Sequence, residues 1–124
     1  MNSAASVAPQ DLQASVREAP PLVVVDLVGS VTALGESTFL NAVGSAIDKT
    51  AGDVLLNFTG VDYINSAGIG IILDGLAQVR EAGRRLLVTG LTPHYRKVFS
   101  MMGLSQHAQV FETEAAARQA AAQN

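Results

Sequence analysis

The sequence predicts an α/β fold built on an open, mixed sheet of about five strands with about four helices. Three observations carry that prediction. Short apolar runs, such as those at 22–25 and 54–58, have the length and β-branched content of buried strands. The stretches between them switch to the helical period of 3.6. Glycines at 52, 83 and 103 stand where those helical stretches should stop. The resulting order is β-β-α-β-α-β-α-β-α. Short links in such a series imply right-handed crossovers and a largely parallel sheet, with the first two strands adding an antiparallel hairpin.

Each element has its own justification. In "LQASV", Leu12, Ala14 and Val16 alternate onto one side, as in a half-buried strand. Pro20-Pro21 breaks the chain before "LVVVDLVG", a more deeply buried strand ending at Gly29. From Gly35, the residues Phe39, Leu40, Val43, Ala46 and Ile47 share one helical face. "VLLNF" is a short buried strand, and Gly60 opens a turn in which Asp62 is expected to cap or order the chain. Ile69, Ile72, Leu73, Leu76 and Val79 then make the inward stripe of an amphipathic helix that stops at Gly83. "RRLLVTG" is the next buried strand. Thr92-Pro93 supplies an N-cap and a first-turn proline to a helix whose inner face is Tyr95, Val98, Phe99 and Met102. Gly103-Leu104 has the form of a glycine stop with its apolar contact, "AQVF" is a last strand, and Thr113 caps an alanine-rich helix. Residues 1–10 read as a flexible tail and 11–122 as one domain.

Composition narrows the function. A chain of 124 residues with 48% hydrophobic and 15% charged residues is globular. Its net charge of -3, with no run of more than two basic residues, argues against nucleic acid as a partner. The absence of cysteine excludes disulfides and thiolate metal sites. No metal site and no cofactor is expected. The N-terminus lacks the basic and apolar regions of a secretory signal, and no apolar run approaches bilayer length. The expectation is a soluble cytoplasmic protein without membrane insertion.

The stretch "GVDYINSAGIGIILDGL" places Ser66 in the link between a central strand and the next helix, beyond the strand's carboxyl end. Its plain structural role is to cap the helix, worth about 1 kcal/mol. A nucleophilic role fails on two counts. Ile64 stands where Gly-x-Ser-x-Gly needs its first glycine, and neither His94 nor His107 has a carboxylate at a telling spacing. Phosphate cradling fails as well, because Gly68-Ile69-Gly70 lacks a third glycine and any Gly-Lys-Ser/Thr. The chain is therefore read as a non-enzyme. Ala67, Gly68 and Gly70 are small enough to bring the helix start close to the sheet. A phosphate on Ser66 would add about -1.5 to -2 charges at the positive end of a helix macrodipole. That charge suits a switch of binding rather than of folding. Ile71 falls roughly opposite the inward stripe and is expected to be an exposed contact. Tyr95 reads as a half-buried aromatic beside the solvated Arg96-Lys97.

"LNFTGVDYINSAGIGIIL" followed by "AGRRLLVTGLTPHYRKVFSMMGL" resembles the STAS domains typified by bacterial anti-sigma factor antagonists. The likeness spans roughly residues 12–118. It takes in the serine turn, the following strand, and the helix ending in Phe99-x-x-x-Gly103-Leu104. The resemblance implies a binding protein with a STAS-like open mixed sheet. Such antagonists, when unphosphorylated, bind an anti-sigma factor that is also a serine kinase, and a phosphatase reverses the phosphorylation that breaks the complex. Ser66 matches the family's phosphorylated serine and Gly68 its glycine. Asn65 stands in place of the usual aspartate and Ala67 in place of a second hydroxyl. The implied docking surface is Asn65, Ala67, Gly68, Gly70, Ile71, Met101, Met102 and Leu104. The alternative is a constitutive STAS scaffold, or a subunit of a larger regulatory or lipid-transport assembly, in which Ser66 is not phosphorylated.

Overall fold

A computed structural model of the protein describes residues 11–49 and 51–123. The expected tail at 1–10 lies outside the described residues. Five strands, β1 (Gln13–Ala19), β2 (Leu22–Val31), β3 (Asp53–Ile64), β4 (Leu86–Thr89) and β5 (Ala108–Phe111), form one sheet in the order β1-β2-β3-β4-β5. β1 and β2 are antiparallel, and every later pairing is parallel. Among the described residues, four α-helices complete the fold: α1 (Glu36–Lys49), α2 (Ser66–Glu81), α3 (Pro93–Met101) and α4 (Glu114–Ala122). The open five-stranded mixed sheet with four helices is the expected fold class.

Strand alternation sends successive residues to opposite faces of the sheet. On one face Val23, Val25 and Leu27 of β2, with Val54, Leu56 and Phe58 of β3, pack against Phe39, Ile72 and Phe99 of α1, α2 and α3. Phe58 and Phe99 meet edge to face, with ring centroids 6.0 Å apart. Burying each such side chain contributes about 1.5–3 kcal/mol, so this face dominates the stability. On the other face Leu22, Val24, Leu55 and Leu87 pack with Ala117 and Ala121 of α4, and the partly buried Ala19 and Phe111 lie against them. Small alanines bury little area, and ion pairs reinforce the contact. The Arg17 guanidinium of β1 donates to both Asp26 and Glu114, which ties the hairpin to the first turn of α4. Hydrogen bonds from Arg17 hold the carboxyls of Glu114 and Asp26 below their ordinary range, and Asn57 adds a further donor to Asp26.

Two strands run further than the sequence reading placed them. β2 continues past Gly29 to Val31, and β3 continues through Gly60 to Ile64. Their carboxyl ends pair with each other, Val31 opposite Ile64, beyond the reach of four-residue β4. Gly60 is therefore a strand glycine rather than the start of a turn. A Cβ there would lie 2.9 Å from both the Leu27 carbonyl oxygen and Val28 Cγ2. Asp62 is correspondingly an exposed strand residue, which accepts from the buried Ser30 hydroxyl at 3.4 Å.

Candidate functional site at the start of the second helix

The extension of β3 decides where α2 begins. Asn65 follows the last strand residue directly, with extended backbone (φ -99°, ψ -176°), and it is the N-cap of α2. Its Oδ1 accepts from the Gly68 N–H at 2.8 Å, and its own N–H donates to the Val31 carbonyl at 3.3 Å. The capping role expected of Ser66 thus belongs to Asn65. Ser66 is the first helical residue, one position inside the cap. It is exposed, and its hydroxyl has no hydrogen-bond partner among the described residues.

The turn is pinned from within. A Cβ on Gly68 would fall 2.0 Å from the Val31 carbonyl oxygen, so only glycine lets α2 start this close to β2. About two turns along the helix, a Cβ on Gly75 would meet Phe39 of α1 at 2.6 Å. These two glycines set the rotation of α2. Its buried stripe is Gly68, Ile71, Ile72, Gly75, Leu76 and Val79. The expected exposed contact at Ile71 is accordingly overturned: the side chain is 6% exposed and lies in the core, while Leu73, expected inside, is 39% exposed. Gly68 is likewise buried and acts as a packing residue rather than a surface contact. Ala67 and Gly70 face outward, and the space around a Cβ on Gly70 is open, so neither brings the helix to the sheet.

Tyr95 supplies a buttress from α3. Its hydroxyl accepts from the Ile64 N–H at 2.9 Å and reaches the Ile64 carbonyl at 3.4 Å, which fixes the residue just before the cap. Sequence reasoning missed this clasp, since a contact between residues 31 apart leaves no local pattern. α3 has the cap foreseen for it, with Thr92 Oγ1 accepting from the Tyr95 N–H and Pro93 in the first turn. Beyond α3, Gly103 takes a left-handed conformation (φ +76°) and turns Leu104 into the core, where it is 2% exposed. The expected surface contact at Leu104 is corrected on that ground. Met101 and Met102 stay outside, 77% and 53% exposed.

Ser66 opens onto a shallow cavity of about 320 Å³ between α2 and α3, lined by Asn65, Ile69, His94, Tyr95, Val98 and Met102. The lining surface is mainly apolar, with Asn65, Ser66, His94 and Tyr95 as its polar members. The exposed Ser66 hydroxyl thus lies beside apolar side chains at the edge of this cavity. No helix among the described residues is long and apolar enough to cross a membrane.

Comparison with known proteins identifies the family of the fold. A family model described as "Mlab, STAS domain" matches residues 14–112, and the chain belongs to that family. A protein of Bordetella bronchiseptica that bears the name anti-sigma factor antagonist BtrV is 29% identical over 82 residues, which are 66% of this chain and 71% of that one. The crystal structure of an anti-sigma factor antagonist from Mycobacterium paratuberculosis superposes with a TM-score of 0.79 at 17% identity, covering 93% of this chain and 97% of the other. The Bacillus cell fate determinant SpoIIAA in its phosphorylated form gives a TM-score of 0.64 at 21% identity, covering 86% and 98%. At these identities the solved structures speak for the fold.

Proposed function

We propose that the protein is a regulatory binding module, an anti-sigma factor antagonist whose docking is switched by phosphorylation of Ser66. The observation that carries this reading is the position of the hydroxyl. It is exposed, unpartnered among the described residues, and set at the first position of a capped helix beside an apolar cavity. A phosphate there meets the positive end of the α2 macrodipole and the unsatisfied N–H groups of the first turn, so the fold tolerates it. A partner seated on Ile69, Val98 and Met102 does not, because a dianion would be desolvated at the rim of its apolar contact. The partner is an anti-sigma factor with serine kinase activity, and a phosphatase restores the binding form. Asn65, Ala67 and Gly70 form the rim around Ser66, and Met101 with Met102 extends the surface along α3. The resemblance to anti-sigma factor antagonists supports this reading, as does the existence of SpoIIAA in a phosphorylated form.

The test is titration of the anti-sigma factor kinase from the same organism against the wild type, Ser66→Ala and Ser66→Asp. Ser66→Ala should bind as the wild type does, and Ser66→Asp about tenfold more weakly or worse. Equal binding by all three would defeat the switch. It would favour a second reading, a constitutive STAS subunit of a larger assembly. The neutral Asn65 at the cap, where the resemblance leads one to expect an aspartate, speaks for that alternative.

A further inference from the structure

The far end of α2 borders a second cavity whose lining differs in chemistry from the one beside Ser66. Ser66 and Arg80 lie at opposite ends of this 16-residue helix, roughly 20 Å apart at 1.5 Å per residue. Around Arg80 a cavity of about 430 Å³ opens at the amino ends of β4 and β5, lined by Arg80, Arg84, Arg85, Ser105, Gln106 and His107. Three of the chain's eight lysines and arginines thus converge on one cleft in a protein of net charge -3. No carboxylate is among its lining residues.

Two of the three arginines are held in place by the fold. Arg85 donates from Nε and Nη2 to the two carboxylate oxygens of Asp53, at 3.1 and 2.5 Å. Arg84 donates from Nη2 to the Ile47 carbonyl at 3.0 Å. Arg80 makes no side-chain hydrogen bond or ion pair among the described residues. The helix macrodipole accounts for a cation in the last turn of α2, but not for two more beyond the helix in a polar cleft. Among the described residues, Arg80, Ser105, Gln106 and His107 supply the cleft's unengaged side-chain donors, while Arg84 and Arg85 add fixed positive charge, that of Arg85 balanced by Asp53. Guanidinium geometry matches phosphate oxygens two at a time. The volume exceeds what a lone oxyanion needs and lies within the range of small-molecule sites.

We infer that the cleft between the end of α2 and the 105–107 turn binds the phosphate group of a phosphorylated small molecule or of a lipid headgroup. This site is independent of Ser66 and of any switch there.

The test uses the full chain and two probes. Pyrophosphate is titrated at constant ionic strength while backbone amide signals are followed, and sedimentation with phosphatidic acid vesicles is compared with neutral phosphatidylcholine vesicles. Saturable shifts confined to residues 105–109 and the end of α2, weakened about tenfold by Arg80→Gln, identify a soluble phosphate ligand. Sedimentation with the acidic vesicles alone, lost in Arg80→Gln, identifies a headgroup. Ser105→Ala gives a second variant that leaves every arginine in place, and it should weaken the same probe. Absence of both signals overturns the site. So do shifts that sodium chloride reproduces, or binding that neither variant changes.

Discussion

The two sides of the first turn of α2 differ sharply in what holds them. The inward side is fully determined: Gly68 is wedged against the Val31 carbonyl, Asn65 caps the helix, and Tyr95 clasps Ile64. The outward side, Ser66, Ala67 and Gly70, touches little and is free of folding duties. A serine placed on the inward side would be a structural residue whose modification unfolds the protein. On the outward side the same hydroxyl can carry a charge while the backbone beneath it stays where it is. That separation of roles is what a binding switch requires.

Substitutions on the two sides should therefore behave differently. Gly68→Ala drives a methyl into backbone rather than into a flexible side chain, and is expected to cost about 3 kcal/mol or more. The denaturation midpoint reads this, and a loss under about 1 kcal/mol would mean that the helix start is loosely seated. Asn65→Ala removes the cap and should cost about 1 kcal/mol in the same measurement. Tyr95→Phe deletes the clasp on Ile64 and leaves a half-buried N–H without its acceptor, again about 1 kcal/mol. Gly70→Ala lies on the open side of the helix, and the comparison sharpens if it stabilises the protein by about 0.5–1 kcal/mol. Ser66→Asp should move the thermal midpoint least, with a gain of a few tenths of a kcal/mol from the macrodipole at about neutral pH. A large loss there would place Ser66 on the structural side.

Local rules read most of the fold. Thr92-Pro93 and Thr113 cap the helices they were expected to cap, and Gly83 and Gly103 both adopt the left-handed conformation that stops a helix. The errors concentrate where long-range contacts decide. α2 carries apolar residues on nearly every side, so periodicity alone admits two inward stripes. The close approaches of Gly68 to Val31 and of Gly75 to Phe39 select the one containing Ile71. The segment at 60–64 has the residues of a turn, yet pairing with the end of β2 draws it into the sheet. Asn65, rather than Ser66, became the cap because β3 runs one residue short of it. The arginine cleft joins the end of α2 to a turn about twenty-five residues later, and nothing local marks it.

The central claim is that Ser66 carries a phosphate whose occupancy follows the state of the cell. The most direct measurement is the intact mass of the protein purified from its own cells in growth and under stress, with any added phosphate located by fragmentation. The account predicts one phosphate, on Ser66, at an occupancy that changes between the two conditions. An unmodified mass in both, or a phosphate confined to another residue, would contradict it.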